Sequence, residues 1–305
     1  MVYFLSERAP NKYDNPIFYI LLPMSSQLSW NIIRHFSSRN MSGFTFQDVT
    51  SAFPEKNRVH LARILAEMVN KGMLYKITRG HYHIIPIHAD PQTYVPDGHQ
   101  VAKYLMQHKE YYIGYASAIK IHGLMLHAEA REEAREEARE YVVTKKQMKP
   151  AIRSFGGITY QFIQHDATRF FGFTSIWINQ LEKAMVSDLE KTIVDIATKP
   201  QFCGGIVEVG NAIFQAKDRM DHDKLFYYFA RNMNKSAKKR FLFLTDLLDL
   251  EWTAEHERMM EELGTGISLL DPAAPDQGIK MRKFGLKINA DPIRIKMAVL
   301  HRKIS

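Results

Sequence analysis

The sequence predicts an α+β chain in two parts: a small helical N-terminal domain closed by a hairpin, and a larger mixed α/β domain. Three observations predict it. Three helix-period segments between residues 27 and 72 lead directly into two alternating segments separated by Arg79-Gly80. Short alternating apolar runs with turn residues between them fill the stretch from Tyr141 to Asp188. Helix-period segments then dominate from Leu189 to Leu263.

Residues 1–26 read as a leader, punctuated by Pro10, Asn11, Asn15-Pro16 and Pro23. In LSWNIIRHFSSRN, Leu28, Ile32, Ile33 and Phe36 fall at helical spacing, with Ser25 or Ser26 as N-cap. Thr45 caps a second short helix, FQDVTSAF, whose Phe46, Val49 and Phe53 share a side and which Pro54 ends. The third helix, EKNRVHLARILAEMVNKG, is expected to bury Val59, Leu61, Ile64, Leu65, Met68 and Val69, and Gly72 stands where a left-handed stop belongs. MLYKIT, the Arg79-Gly80 turn and HYHIIPI alternate as a β-hairpin. Three helices and a hairpin over residues 27–95 are the layout of a winged helix-turn-helix. In that unit the third helix enters the major groove and the hairpin lies along the backbone. Lys56, Asn57, Arg58, His60 and Arg63 face outward early in that helix, and Arg79 and His81 stand at the hairpin tip. They are donors suited to phosphates and purine edges, which makes double-stranded DNA the expected partner.

The second domain is assigned to residues 96–305. VAKYLMQH and YYIGYASAIKIHGL read as helices, the second closed by Gly123. His122 has no carboxylate or nucleophile at a meaningful spacing and is expected to be a packed, hydrogen-bonded ring. Residues 129–140 repeat EARE three times; glutamates stack at i,i+4 and alanine is the sole apolar residue, so a solvated connection is expected, inserted between helix and strand. YVVT, ITYQFIQHD, FFGFTSIWIN and KAMVSD then predict a small, mostly antiparallel sheet flanked by helices. Ser187 and Glu190 read as a capping box opening LEKTIVDIATKP. Helices follow in GIVEVGNAIFQAKDRM, DHDKLFYYFARNM, SAKKRFLFLTDLLDL and 255–263, and GISLLDP and MRKFGLKIN read as strands returning to the sheet.

Composition narrows the chemistry. The formal net charge is +8, and residues 278–305 carry Lys280, Arg282, Lys283, Lys287, Arg294, Lys296, Arg302 and Lys303 against one acid, Asp291. A polyanionic partner fits that balance. The longest apolar run, Ile17 to Leu22, is far short of a membrane span, and no secretory signal is evident, so a cytoplasmic location is expected. Cys203 is the single cysteine, which excludes a disulfide framework and a cysteine-based zinc site. Asp188, Glu190 and Lys191 resemble a nuclease metal cluster, but the helix start accounts for them. His81, His83 and His88 are close in sequence, yet an extended hairpin separates His88 from the other two. No phosphate loop, nucleophile elbow or nucleotidyl-transfer motif occurs. No catalytic residue, metal or cofactor is expected.

Several stretches together resemble the AbiEi-type antitoxins of bacterial type IV toxin–antitoxin and abortive-infection operons. They are ILAEMVNKGMLYKITRGHY, YYIGYASAIKIHGL, FGGITYQFI, VSDLEKTIVDIATKPQFCGGI, KSAKKRFLFLTDLL and the closing LLDP…KFGLKIN, spanning about residues 28 to 290. The resemblance implies a first domain that binds inverted repeats upstream of its own operon and represses it. It also implies a second domain that counteracts a cognate nucleotidyltransferase-like toxin, by contact or through the toxin's target, the chain acting as monomer or dimer. The EARE segment and the 1–26 leader depart from the pattern. Lys235, Lys238, Lys239, Arg240, Lys280, Arg282, Lys283 and Lys287 are the candidate antitoxicity surface. The alternative is a stand-alone transcription regulator whose second domain senses a ligand or protein.

Overall fold

The computed structural model describes residues 24–106, 109–125, 138–180 and 182–300. The assigned leader therefore lies outside the described residues except for its last three, as does the EARE segment up to residue 137. The architecture is mixed α+β, in two compact units divided between Tyr94 and Val95. Among the described residues no helix is long and apolar enough to cross a membrane.

The first unit contains α1 (Met24–Ser37), β1 (Gly43–Thr45), α2 (Phe46–Ala52), α3 (Arg58–Asn70), β2 (Leu74–Thr78) and β3 (His81–Ile84). Helix α1 already begins at Met24, so Ser25 and Ser26 lie inside its first turn and not at the cap. One core, built from Leu28, Ile32, Phe36, Phe44, Val49, Leu61, Ile64, Leu65, Met68 and Leu74, joins the helices to the sheet. Phe36 and Phe44 stack at 4.3 Å between ring centres. Three residues, Gly43–Thr45, are too few for alternation to announce, yet they form the strand that pairs with β3 and sets the sheet order β1-β3-β2, antiparallel throughout. Thr45 then caps α2: its Oγ1 accepts the Asp48 N–H at 3.1 Å while Asp48 accepts the Thr45 N–H at 2.7 Å. Gly72 stops α3 at φ +67°, and a Cβ there would fall 2.5 Å from the Cβ of Pro91, so glycine is required twice over.

The second unit is built on a six-stranded sheet, β4 (Tyr111–Ile113), β5 (Arg139–Thr144), β6 (Ile152–Phe155), β7 (Ile158–Gln164), β8 (Phe173–Trp177) and β9 (Lys183–Ser187), in the order β6-β7-β5-β4-β9-β8. Three of its five pairings are antiparallel, as expected, but β5 with β7 and β4 with β9 run parallel, so the sheet is mixed. The reason is docking: each of the hairpins β6–β7 and β8–β9 joins the sheet through its second strand. Alternation along a strand cannot say which strand of a hairpin will dock. Tyr111–Ile113, expected as the start of a helix, is a fully buried central strand, and α5 (Tyr115–Ile121) begins only after Gly114. The last two residues of the EARE repeat also belong to the sheet, opening β5. There Glu140 is buried and accepts from the His99 ring at 2.9 Å, on α4 (Gly98–Leu105).

Helices α6 (Leu189–Thr198), α7 (Ile206–Ala216), α8 (His222–Asn232), α9 (Lys235–Leu247), α10 (Ala254–Glu261) and α11 (Pro292–Leu300) complete the unit. Asp188, not Ser187, caps α6, accepting the Lys191 N–H at 2.9 Å. Ser187 is turned to Thr192 at 2.8 Å, and Glu190 accepts the Asp221 N–H at 2.9 Å, so the expected capping box is absent. The closing strands do not return to the main sheet. β10 (Ser268–Leu269), β11 (Ile279–Met281) and β12 (Leu286–Ile288) form a separate sheet in the order β10-β12-β11.

Candidate nucleic-acid interface

The start of α3 is defined by Asn57, whose Oδ1 accepts the Val59 N–H at 2.8 Å and satisfies one of the helix's orphan donors. Asn57, assigned from sequence as a DNA donor, thus has a structural task first. Arg58 follows, exposed, with its guanidinium 5.4 Å from the centre of the Phe46 ring. Phe46 in turn donates its N–H to Gly80 O at 2.8 Å, at the tip of the β2–β3 hairpin. Thr45, one residue before, pairs in register with His81. Gly80 adopts φ +78°, the left-handed geometry that the hairpin tip needs. Phe46 is therefore a junction: its ring meets the Arg58 guanidinium and its N–H holds the hairpin tip at Gly80.

The remaining sequence-assigned residues have local partners. Lys56 is exposed and 3.9 Å from Glu55. His60 is half-buried, its Nδ1 3.3 Å from the guanidinium of Arg63. Arg63 is exposed and lies 3.7 Å from Glu67. Arg79 is exposed, with its carbonyl 3.3 Å from the ring Nδ1 of half-buried His81. Between residues 24 and 94 eight Lys/Arg stand against four acids, Asp48, Glu55, Glu67 and Asp90. Asp48 is committed to the Thr45 cap.

Two residues here were missed by sequence reasoning. Val59, assigned to the core, is 78% exposed. Its position is legible on a helical wheel: it precedes buried Leu61 by two residues and buried Met68 by nine, which puts it on the opposite face. Phe46 was read only as an apolar packing residue; its link to the hairpin depends on β1, which the sequence does not signal.

The basic residues assigned to the second unit divide. Lys235, Lys280, Arg282 and Lys283 are exposed, Lys283 pairing with Asp246 at 2.9 Å. Lys287 is half-buried and pairs with Asp276 at 2.6 Å. Lys238, Lys239 and Arg240 are buried and do not form a surface, which corrects their assignment. Lys238 meets Glu262, Lys239 donates to Gly266 O, and Arg240 donates to the carbonyls of Ala197 at 2.9 Å and of Leu269 and Leu270 at 3.0 Å. Arg240 thereby caps the C-terminal end of α6 and ties it to β10. Burial lowers its pKa to about 10.

The residues with catalytic chemistry are distributed differently. Lys224 bridges Asp188 at 3.1 Å and Glu190 at 2.8 Å, while Lys191 turns inward onto Asp195, so the acid–acid–lysine set does not converge. His122 Nε2 meets Ser187 O at 2.8 Å. His83 is buried 3.4 Å from the Tyr94 hydroxyl, whereas His88 is exposed. A larger polar cluster lies in the core: His165 is held by the Tyr112 hydroxyl at 2.9 Å and the Tyr115 hydroxyl at 2.8 Å, and Tyr112 donates to Asp195 at 2.9 Å. None of Tyr112, Tyr115, His165, Lys191 and Asp195 is more than 1% exposed, so the cluster fastens β4, α5 and α6 together. Burial depresses the His165 pKa to about 4 and pushes the Tyr112 hydroxyl well above its ordinary value.

No family model matches the sequence, and no curated protein does. Among solved structures, the chain is similar to the RV2827C protein from Mycobacterium tuberculosis, with a TM-score of 0.58 at 15% identity, covering 87% of this chain and 91% of that one. The two share a fold over most of their length.

Proposed function

We propose that the chain is a sequence-specific DNA-binding repressor whose first unit works as a winged helix-turn-helix. One observation supports the reading: the exposed, Asn57-capped start of α3 and the Gly80 hairpin tip both meet Phe46, Arg58 on its ring and Gly80 on its N–H. In this reading α3 enters the major groove, Arg58 and Arg63 contact purine edges or phosphates, and Arg79 and His81 hold the flanking backbone. Lys56 adds charge at the helix entry.

The AbiEi-like stretches extend the proposal. The DNA is an inverted repeat at the chain's own operon, and the second unit counteracts a nucleotidyltransferase-like toxin encoded beside it. With Lys238, Lys239 and Arg240 buried, exposed Lys235, Lys280, Arg282 and Lys283 remain as the basic surface for that role. The test is co-expression of the full chain with the neighbouring gene, using wild type and the Arg58→Ala/Arg63→Ala double variant. Rescue of growth by both, with a promoter reporter silenced by wild type alone, is the expected result. Absence of rescue by either removes the antitoxin role. A reporter silenced equally by both removes the α3 assignment.

A further inference from the structure

Val59 is a branched apolar side chain, 78% exposed, in the first turn of α3. A single exposed hydrophobic residue is ordinary, but this one is set among fixed donors. Its own N–H is held by Asn57 Oδ1 at 2.8 Å, which pins the backbone at the helix start. Arg58, immediately before it, rests over the Phe46 ring at 5.4 Å, and His60, immediately after it, meets Arg63 at 3.3 Å. Ala62, exposed on the following turn of the helix, adds no bulk on that side. A short apolar side chain thus stands between Arg58 and His60 in the chain, on the face opposite the buried Leu61 and Met68.

We infer that Val59 reads the 5-methyl group of a thymine in the major groove, a specificity role that rests on the DNA-binding reading above. Thymine is the one standard base that presents an apolar group there, and guanine or adenine beside it offers the acceptors that Arg58 requires. Charged neighbours bring the helix to the duplex but do not sense the 5-methyl group that marks thymine. A valine does, because burying its surface against the methyl is favourable and burying it against the cytosine amino group leaves a donor unpaired. Each half-site then contains a thymine next to the purine contacted by Arg58.

The experiment starts from the full-length chain and a random duplex library, from which a binding site is enriched. The enriched site is resynthesised with deoxyuridine at each thymine in turn, which removes the methyl and leaves every hydrogen-bonding group in place. Wild type is expected to bind about fourfold more weakly when one particular thymine per half-site is replaced, the equivalent of one buried methyl group. The Val59→Ala chain is expected to bind the thymine and deoxyuridine sites equally. Alanine at this exposed helical position favours the helix, so the variant melts no lower than wild type. Wild-type binding indifferent to every deoxyuridine, or a deoxyuridine penalty undiminished in Val59→Ala, overturns the role of Val59 while leaving DNA binding intact. Failure to enrich any site overturns the DNA-binding reading and this inference with it.

Discussion

At the residue scale, Asn57 separates folding from binding. Its Oδ1 satisfies the Val59 N–H, a helix cap whose loss costs about 1 kcal/mol on substitution by alanine. Asn57→Asp keeps the acceptor and the favourable interaction with the helix N-terminus, but places a negative charge where DNA phosphates are proposed to lie. Asn57→Ala should therefore lower stability by about 1 kcal/mol in urea unfolding. Asn57→Asp should leave stability unchanged and weaken DNA binding. A variant Asn57→Asp that binds DNA as tightly as wild type would place the contact surface elsewhere. Arg58 differs: it has no capping duty, and its anchoring on Phe46 holds the side chain against the unit without occupying its guanidinium donors.

At the element scale, α6 shows what a sequence reveals and what it hides. Its existence, length and helical period are plain in LEKTIVDIATKP, and Thr45, Gly72, α3 and the Arg79-Gly80 turn of the first unit are equally legible, because caps, stops and periodicity are local signals. What surrounds α6 is not local. Lys191 and Asp195, four residues apart on α6, are both buried against Tyr112 and His165, which arrive from β4 and the end of β7. Lys238, Lys239 and Arg240 read as a basic surface because charge in sequence suggests water, whereas the Glu262 carboxylate and the carbonyls they meet come from distant segments. The two parallel pairings of the sheet escaped because strand period carries no information on neighbours. At the candidate interface the donors were legible, whereas the Phe46 junction was not, since it depends on the three-residue β1. Arg240 gives this scale its test. Its forked donors span the end of α6 and β10, so Arg240→Ala should destabilise the second unit by about 3 kcal/mol or more, and Arg240→Lys should recover only part, since an ammonium cannot reproduce the fork. Full stability of Arg240→Ala in urea would show that these carbonyls need no such partner.

At the scale of the whole molecule, the buried histidines His165 and His256 make the fold less stable as pH falls, while His99, raised by Glu140 against its own burial, acts in the opposite sense. His165 titrates near 4 in the folded chain against an ordinary value of 6.5, because burial disfavours the charged ring. The unfolded chain therefore binds the extra proton first as pH falls. Stability is full above pH 6.5, declines between 6.5 and 4, and levels off below the folded pKa. His165 alone accounts for a loss of about 2 kcal/mol between pH 7 and pH 5. His256, also lowered to about 4 by burial, adds a second contribution of the same sign. Urea unfolding at pH 7 and pH 5 measures the sum, and His165→Gln should reduce the difference; an unchanged difference in that variant would contradict the assignment.

The central claim is that the basic end of the first unit binds DNA, and a salt titration of the full chain on its enriched operator tests it most directly. Each phosphate neutralised contributes about −0.9 to the slope of log K against log salt concentration. The account predicts a steep negative slope for wild type, a slope shallower by about 1 in Arg79→Ala, and affinity lost by about 1–3 kcal/mol for each of Arg58→Ala and Arg63→Ala that reads a base. Affinity independent of salt, or a slope and affinity left unchanged by all three substitutions, would contradict it.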